Sequence, residues 1–268
     1  MNATQLYETG QLADAVAAAG EEVKRHPMDS GKRVFYCELL CFGGDYDRAD
    51  RQLDVLGHQE PKAMLEVTTF RQILRAEQSR QQFYTEGRLP EFLEPPSERM
   101  KRHLEASIRL RESQPGEAAQ LLQQAEAERP PVAGTCGGQP FADLRDTDDL
   151  CASFFEVLTT TGKYYWVPME RVDTMEFHPP KRPRDLLWRS VHMVVRGGPD
   201  GVVFLPVLYA GAHTEADDRL RLGRMTEWRG GEGVPVRGAG QRMYVVGEKS
   251  QTILELKEIT VTAPTASP

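Results

Sequence analysis

Asp143, Asp146, Asp148 and Asp149 place four carboxylates within seven residues, the nearest approach in this chain to a hard-cation site. The spacing lacks the glycine and the terminal glutamate of a calcium loop. Asp146 with Asp149 has instead the separation of a helix N-cap and its reciprocal acidic partner. The stretch therefore reads as the positive end of a helix running from Leu150 to about Thr160. His178, His192 and His213 are the other ligand-type residues, and a metal-dependent hydrolase in the carboxy-terminal half would need them to converge, but none stands in a short ligand motif. Glu170 and Glu176 could form a glycosidase-like pair if the intervening strand folded back, but exposed strand carboxylates are the far commoner explanation. Gly137 and Gly138 are followed by no lysine or serine and no dinucleotide-type spacing, and there is no nucleophile elbow. Cys37 and Cys41 stand four apart and fit one buried helical face, while Cys136 and Cys151 are paired by no motif. The expectation is a protein without cofactor, metal or catalysis.

Composition narrows the classes further. Forty acidic against thirty-three basic side chains in 268 residues give a formal charge of −7, which argues against a nucleic-acid backbone as main ligand. Lys181, Arg182 and Arg184 are few and interrupted by proline, so an RNA-binding module remains the weaker alternative. No basic segment followed by an apolar run opens the chain. The longest apolar stretch, Val202 to Ala210, is far short of the roughly 20 residues a bilayer needs, and the expected location is the cytoplasm.

The elements that must position these residues divide in two. Gln5 to Tyr7, Leu12 to His26, Gly31 to Phe42 and Tyr46 to Leu56 read as helices separated by glycine and proline. Gly10, Ala15 and Pro27 recur as Gly44, Ala49 and Pro61, each offset by 34, the period of the tetratricopeptide helix-turn-helix unit. In such a unit the glycine allows a tight turn, the alanine a close approach, and the proline stops the second helix. Pro61 to Tyr84 makes a longer helix. Glu98 to Glu112 and Gly116 to Glu128 form a last antiparallel pair, expected to close the helical domain, with Pro115 and Gly116 in the turn position. Arg129 to Gln139 is the linker by composition.

Beyond it, Tyr164 to Val167, Arg171 to Phe177, Val191 to Val195 and Val202 to Tyr209 read as strands, the last two as a hairpin, with Pro206 marking an edge strand or a bulge. Arg219 to Glu227 reads as a connection, Gln241 to Val246 and Gln251 to Val261 as further strands, and Thr262 to Pro268 as a frayed tail. The expected fold is α+β: a tetratricopeptide-like helical domain over residues 1–130, then an antiparallel-sheet domain carrying a helix over residues 139–268.

The run Gly162-Lys163-Tyr164-Tyr165-Trp166-Val167-Pro168 resembles the signature of the ImpE/TagJ family of type VI secretion accessory proteins. Three more blocks follow in order: Arg-Asp-Leu-Leu-Trp at Arg184 to Trp188, Leu-Arg-Leu-Gly-Arg-Met-Thr-Glu-Trp at Leu220 to Trp228, and Gly-Gln-Arg-Met at Gly240 to Met243. The helical block with Arg33, Phe35, Leu39 and Leu40 before Gly44 is similar too, so the resemblance covers nearly the whole chain. One block departs: Leu208-Tyr209-Ala210-Gly211 stands where the family pattern has arginine-tyrosine-proline-glycine.

The resemblance implies a non-catalytic adaptor that binds the amino-terminal helix of the small subunit of the contractile sheath, and so acts on sheath assembly or on recycling by the associated ATPase. Stacked helix pairs leave grooves that accept an amphipathic helix, which makes Phe35, Leu39 and Tyr46 candidate contacts against a role in the core. Tyr165 and Trp166 are candidate aromatic contacts against packing in the sheet. Arg184, Asp185, Trp188, Arg224, Glu227, Trp228, Gln241 and Arg242 read as internal ion pairs and packing that tie loops to the sheet.

Overall fold

The computed structural model describes residues 1–263, so the tail expected over Thr262 to Pro268 lies, from residue 264 onward, outside the described residues. Helices α1 (Ala3–Glu8), α2 (Leu12–Arg25), α3 (Ser30–Phe42), α4 (Tyr46–Gln59) and α5 (Met64–Glu86) follow one another as antiparallel neighbours. Local chemistry starts most of them. The Asn2 side chain accepts the Gln5 N–H while the Gln5 side chain accepts the Asn2 N–H, and Asp29 and Asp45 accept from the N–H groups of Lys32 and Arg48. Gly10 and Gly44 take left-handed φ of 82° and 77° in the two equivalent turns, and Ala15 and Ala49 are fully buried behind them. After α5, α6 (Glu98–Arg111) and α7 (Pro115–Ala127) form the last pair. Ser113, not Gly116, takes the left-handed turn conformation there. This pair packs its small core of Ala106, Ala118 and Leu122 against Leu150 of the sheet half and Tyr84 of α5, so it closes over both the strands and the end of α5.

Thirteen strands follow among the described residues: β1 (Gly134–Cys136), β2 (Gln139–Phe141), β3 (Leu144–Asp146), β4 (Phe154–Thr159), β5 (Tyr164–Pro168), β6 (Val172–Phe177), β7 (Trp188–Val195) and β8 (Asp200–Pro206), then β9 (Thr226–Gly231), β10 (Val234–Gly240), β11 (Met243–Val246), β12 (Lys249–Thr252) and β13 (Ile259–Val261). The short α8 (Asp218–Arg221) lies between β8 and β9. An eight-stranded antiparallel sheet has the order β2-β1-β13-β6-β7-β8-β4-β5, beside a three-stranded sheet β12-β11-β3 and the ribbon β10-β9. One continuous core joins α1–α5 to the sheets.

Several expectations change. Leu150 to Thr160 is a short 3-10 turn (Asp149–Cys151) and then strand β4, not a helix. Phe154 to Leu158 is buried without alternation because layers cover both faces, and such a run carries no period that separates strand from helix. Pro206 is neither bulged nor on an edge strand; it ends β8, which lies between β7 and β4, so its missing donor costs no ladder bond in mid-strand. Gln251 to Val261 divides into β12 and β13 in different sheets, turned by the Thr252–Glu255 bonds. β1 begins inside the stretch read as linker, and the β9–β10 hairpin falls across the stretch read as a connection and beyond.

Candidate interaction site

On α5, Glu77, Arg80 and Tyr84 stand three and four apart and so share one face, turned toward the sheet. Arg80 Nη1 donates to Glu77 Oε1 at 3.0 Å, and its Nη2 donates to Glu156 Oε2 on β4 and to the Leu208 carbonyl, both at 3.0 Å. Glu156 also accepts from Tyr84 (3.0 Å), from the Tyr164 hydroxyl and from Arg242. Arg242 reaches on to Asp146 (3.1 Å), which accepts the Tyr209 hydroxyl at 2.9 Å. Asp148 accepts from Arg237 Nε (2.8 Å) and from the N–H groups of Leu150 and Gly238 (2.9 Å each). The expected capping pair Asp146 and Asp149 is thus corrected: Asp148 caps the 3-10 turn, while Asp146 belongs to a buried ladder of alternating charge, Glu77–Arg80–Glu156–Arg242–Asp146.

Burial opposes the charge on Glu156, but Arg80 and Arg242 outweigh it with the hydrogen bonds from Arg80 and Tyr164, and its pKa falls to about 2. Asp146 moves the other way, to about 7: burial raises it, Arg242 offsets part of that, and Asp148 adds like charge. Burial also pushes His103 down to about 3. Its Nδ1 lies 3.0 Å from the Leu150 carbonyl, which can only accept, so Nδ1 carries the proton and Nε2 accepts from the Ser153 hydroxyl at 2.9 Å. The cavity beside the ladder, bordered by Tyr46, Glu77, Arg80, Trp188 and His213, holds about 20 Å³, room for a single water and no substrate. These groups lock helices to sheet and have no reacting partner within reach.

A second lock runs through residues 211–225. A Cβ added at Gly44 would come within 2.3 Å of the His213 ring, and one at Gly10 within 3.3 Å of Arg224. Both repeat-related glycines therefore admit a side chain from the sheet half. Arg224 donates to the carbonyls of Tyr7 (2.6 Å) and Glu8 (2.9 Å) at the negative end of α1, and Asp218 accepts the Leu12 N–H at 2.8 Å, capping α2. On α3 the run Tyr36 to Phe42 is buried without a break.

An open cleft lies elsewhere. The chain leaves α5 through left-handed Gly87 and crosses the outer edge of β5, where the Glu91 N–H donates to Tyr164 O (2.8 Å) and the Trp166 N–H to Glu91 O (3.1 Å). Leu89 is 66 % exposed and Leu93 43 % exposed on this segment. Between Phe92–Pro96 and the β7–β8 loop opens a cleft of about 280 Å³, with Trp166 as its floor and Met100, Pro168 and Val195 in its walls. Trp166 stacks on Phe154 (centroids 3.9 Å apart), meets Phe83 and Phe92 edge-on, and donates to the Tyr164 hydroxyl at 2.6 Å, so the floor is rigid. Arg99 pairs with Glu170 in one wall, and Arg171 meets Glu94 from the opposite wall at 2.7 Å.

The remaining residues singled out from the sequence scatter. Leu39 and Trp166 are fully buried side chains, Phe35 is half-buried edge-on to Tyr7 at 5.8 Å, Tyr46 is half-buried beside His213, and Tyr165 is half-buried on β5. Of these, Trp166 alone borders the cleft among the described residues. Arg184 stands 4.8 Å over the Phe70 ring, Asp185 accepts from the Lys181 N–H at 2.8 Å, and Trp188 Nε1 donates to Glu77 at 2.9 Å. The Gln241 N–H bonds Met225 O at 2.9 Å, whereas Glu227 and Trp228 are exposed on β9. His178 pairs with Ser190, His192 with Asp200 and His213 packs on Gly44, so the three do not converge. Among the described residues, no group of three or more His, Cys, Asp or Glu could hold a metal, and no helix is long and apolar enough to cross a membrane.

Comparison with known proteins ties this geometry to a family. The family described as ImpE protein matches residues 138–260. The type VI secretion system accessory component TagJ of Pseudomonas aeruginosa is 34% identical over 260 residues, covering 97% of this chain and 90% of that protein. The chain belongs to the ImpE family. Its fold is also that of the crystal structure of protein VPA1032 from Vibrio parahaemolyticus, with a TM-score of 0.90, 26% identity and 97% of each chain covered. Within this ImpE-family chain, the four blocks of resemblance meet at the two locks: Tyr164 and Trp166, Trp188, Arg224, and Arg242 each bind one of the groups described above.

Proposed function

We propose that this ImpE-family protein is a cytoplasmic adaptor of the type VI secretion system that holds the amino-terminal helix of the small sheath subunit, and so acts on sheath assembly or on recycling by the sheath-disassembling ATPase. As a family member it is an accessory component and not an enzyme. In this reading α1–α4 are two tetratricopeptide-like units, and residues 1–130 and 139–268 are helical and sheet units sharing one core. The observation that carries the proposal is the open apolar cleft at Phe92–Pro96, flanked by exposed Leu89 and Leu93. An amphipathic helix presents leucine-like anchors at three- and four-residue spacing, and a rigid aromatic floor gives such an anchor a packed seat. The buried run on α3 makes the inter-helix groove around Leu39 the poorer seat.

Isothermal titration with a peptide of the cognate sheath helix tests it. Binding in roughly the micromolar range, about 8 kcal/mol, is expected, weakened about tenfold by Leu93→Ser. No binding at high micromolar peptide, or binding indifferent to Leu93, overturns it.

A further inference from the structure

We propose that the outer edge of β9 pairs with the same edge of a second copy of this chain, antiparallel about a two-fold axis at Trp228. The pairing is independent of the Phe92–Pro96 cleft. β9 has β10 on one side and no strand on the other among the described residues, and Glu227 to Gly231 are exposed throughout. The other sheet edges are short or covered: β2 and β3 have three residues each, β12 has four, and the Glu91 segment lies across β5. β10 turns its own outer edge to Asp148, Asp149 and Tyr209. The six residues of β9 are thus left as a template for another strand.

The direction of the β9 backbone follows from β10. The Gly238 N–H donates to Asp148 at 2.9 Å and the Gly240 carbonyl accepts the Tyr209 N–H at 2.9 Å, so both residues turn away from β9. Gly238 stands opposite Trp228, and Gly240 opposite Thr226. Opposed residues of an antiparallel ladder either bond each other or both turn outward, so Trp228 and Thr226 present their N–H and C=O groups to the open edge. Two copies centred on Trp228 therefore exchange both Trp228 bonds and set each Thr226 opposite the Gly230 of the other copy.

The same register sets Glu227 opposite the Arg229 of the other copy, twice, as the kind of pair whose side chains approach most closely. A two-fold axis at Glu227 or at Arg229 would instead bring like charges face to face, so the signs select Trp228 as the centre. The Glu227 carboxylate stands 3.9 Å from its own Arg229 and accepts no hydrogen bond among the described residues. Arg229 gives one N–H from each Nη to Glu215, at 2.9 and 2.6 Å, and its remaining N–H groups can serve a second carboxylate. Trp228, edge-on to Tyr209 at 5.9 Å, keeps 43 % of its surface exposed, and the pairing brings the two indoles together on one face of the joined ribbons. The contact employs two residues, Glu227 and Trp228, that the sequence assigns to internal packing and the fold leaves outside.

A strand pair of this length buries less than a standard interface of roughly 1,600 Å², so the dimer should be weak, with a dissociation constant of roughly 100 µM. Sedimentation velocity of the intact protein from about 5 to 500 µM should show monomer passing toward dimer. Glu227→Arg and Arg229→Glu each place like charges opposite one another and should each weaken the dimer at least about tenfold. Mixed in equal amounts, the two variants restore opposite charges at both positions and should form a heterodimer at least as tight as the parent. In amide exchange by NMR, the Trp228 N–H should slow with rising protein concentration, while the Arg229 N–H, directed at β10, should not. A monomer at every concentration, a dimer indifferent to both reversals, or a mixture that stays monomeric overturns the proposal. Protection of the Trp228 N–H only by the strand of a different protein overturns it as well.

Discussion

The junction between α5 and the sheet and the cleft beneath Phe92 both lie toward the carboxy-terminal end of the same helix, yet they use charge in opposite ways. At the junction, Glu77, Arg80, Glu156, Arg242 and Asp146 alternate in sign and are all buried, so each has an oppositely charged neighbour, although at Asp146 burial outweighs Arg242. At the cleft the surface is apolar, the ion pairs stand on the walls, and one carboxylate oxygen has no donor among the described residues. The residues that look most like catalytic machinery are therefore the ones that hold the fold, while the surface suited to recognition is built from leucine, proline and aromatic side chains. Perturbed pKa values mark functional sites only when the group faces a space a ligand can enter.

The largest expected effect that could break this contrast is at the ladder. Arg242→Met leaves Glu156 and Asp146 buried with one guanidinium fewer and should cost about 3–5 kcal/mol in urea unfolding at neutral pH. A loss under about 1 kcal/mol would mean that the ladder does not lock the halves together. Next comes the strap: Gly44→Ala forces an L-residue into left-handed φ and against His213, an expected loss of about 2–3 kcal/mol. His213→Ala in the same chain should recover about 1 kcal/mol of it; purely additive losses would show that the ring contact carries no energy.

The pH dependence sharpens the picture further. His103 is lowered from 6.5 to about 3, so between those values the unfolded chain binds a proton that the folded chain refuses, and stability falls as pH falls through that window. Glu156, lowered to about 2, adds a loss below its ordinary 4.5, whereas Asp146, raised to about 7, gains stability as pH falls from 7. The His103→Gln variant keeps both carboxylates, so comparing it with the parent isolates the histidine. From pH 7 to pH 5 the parent should lose about 2 kcal/mol more than the variant. Equal losses would show that His103 is not held neutral. At the cleft, by contrast, Leu93→Ser should change stability by less than about 0.5 kcal/mol, since its effect is on the partner.

Much of the helical half was legible because its signals are local. Amphipathic spacing and glycine and proline breaks delimit α2 to α5 within a few residues of where they lie, though the caps Asp29 and Asp45 emerge only from the structure. The β7–β8 hairpin was legible for the same reason, from two β-prone runs around a glycine-rich loop. The offset of 34 between Gly10 and Gly44 gave the turns, though not the Arg224 and His213 side chains that fill the space above them.

Sequence alone determined, then, the helices of the amino-terminal half, the turns at Gly10 and Gly44, the absence of a short catalytic or ligand motif and the family. Tertiary structure decided what no neighbouring residue encodes. Phe154 to Leu158 became a strand because layers from both sides bury it, and Asp146 joined the ladder while Asp148 capped the 3-10 turn because Arg242 and Arg237, about ninety residues later, arrive beside them. The cleft exists because Phe92, Trp166 and Val195 are brought together from three separate segments. Each alone reads as an ordinary core residue, since burial and exposure of an apolar side chain are set by what packs on it and not by its own spacing.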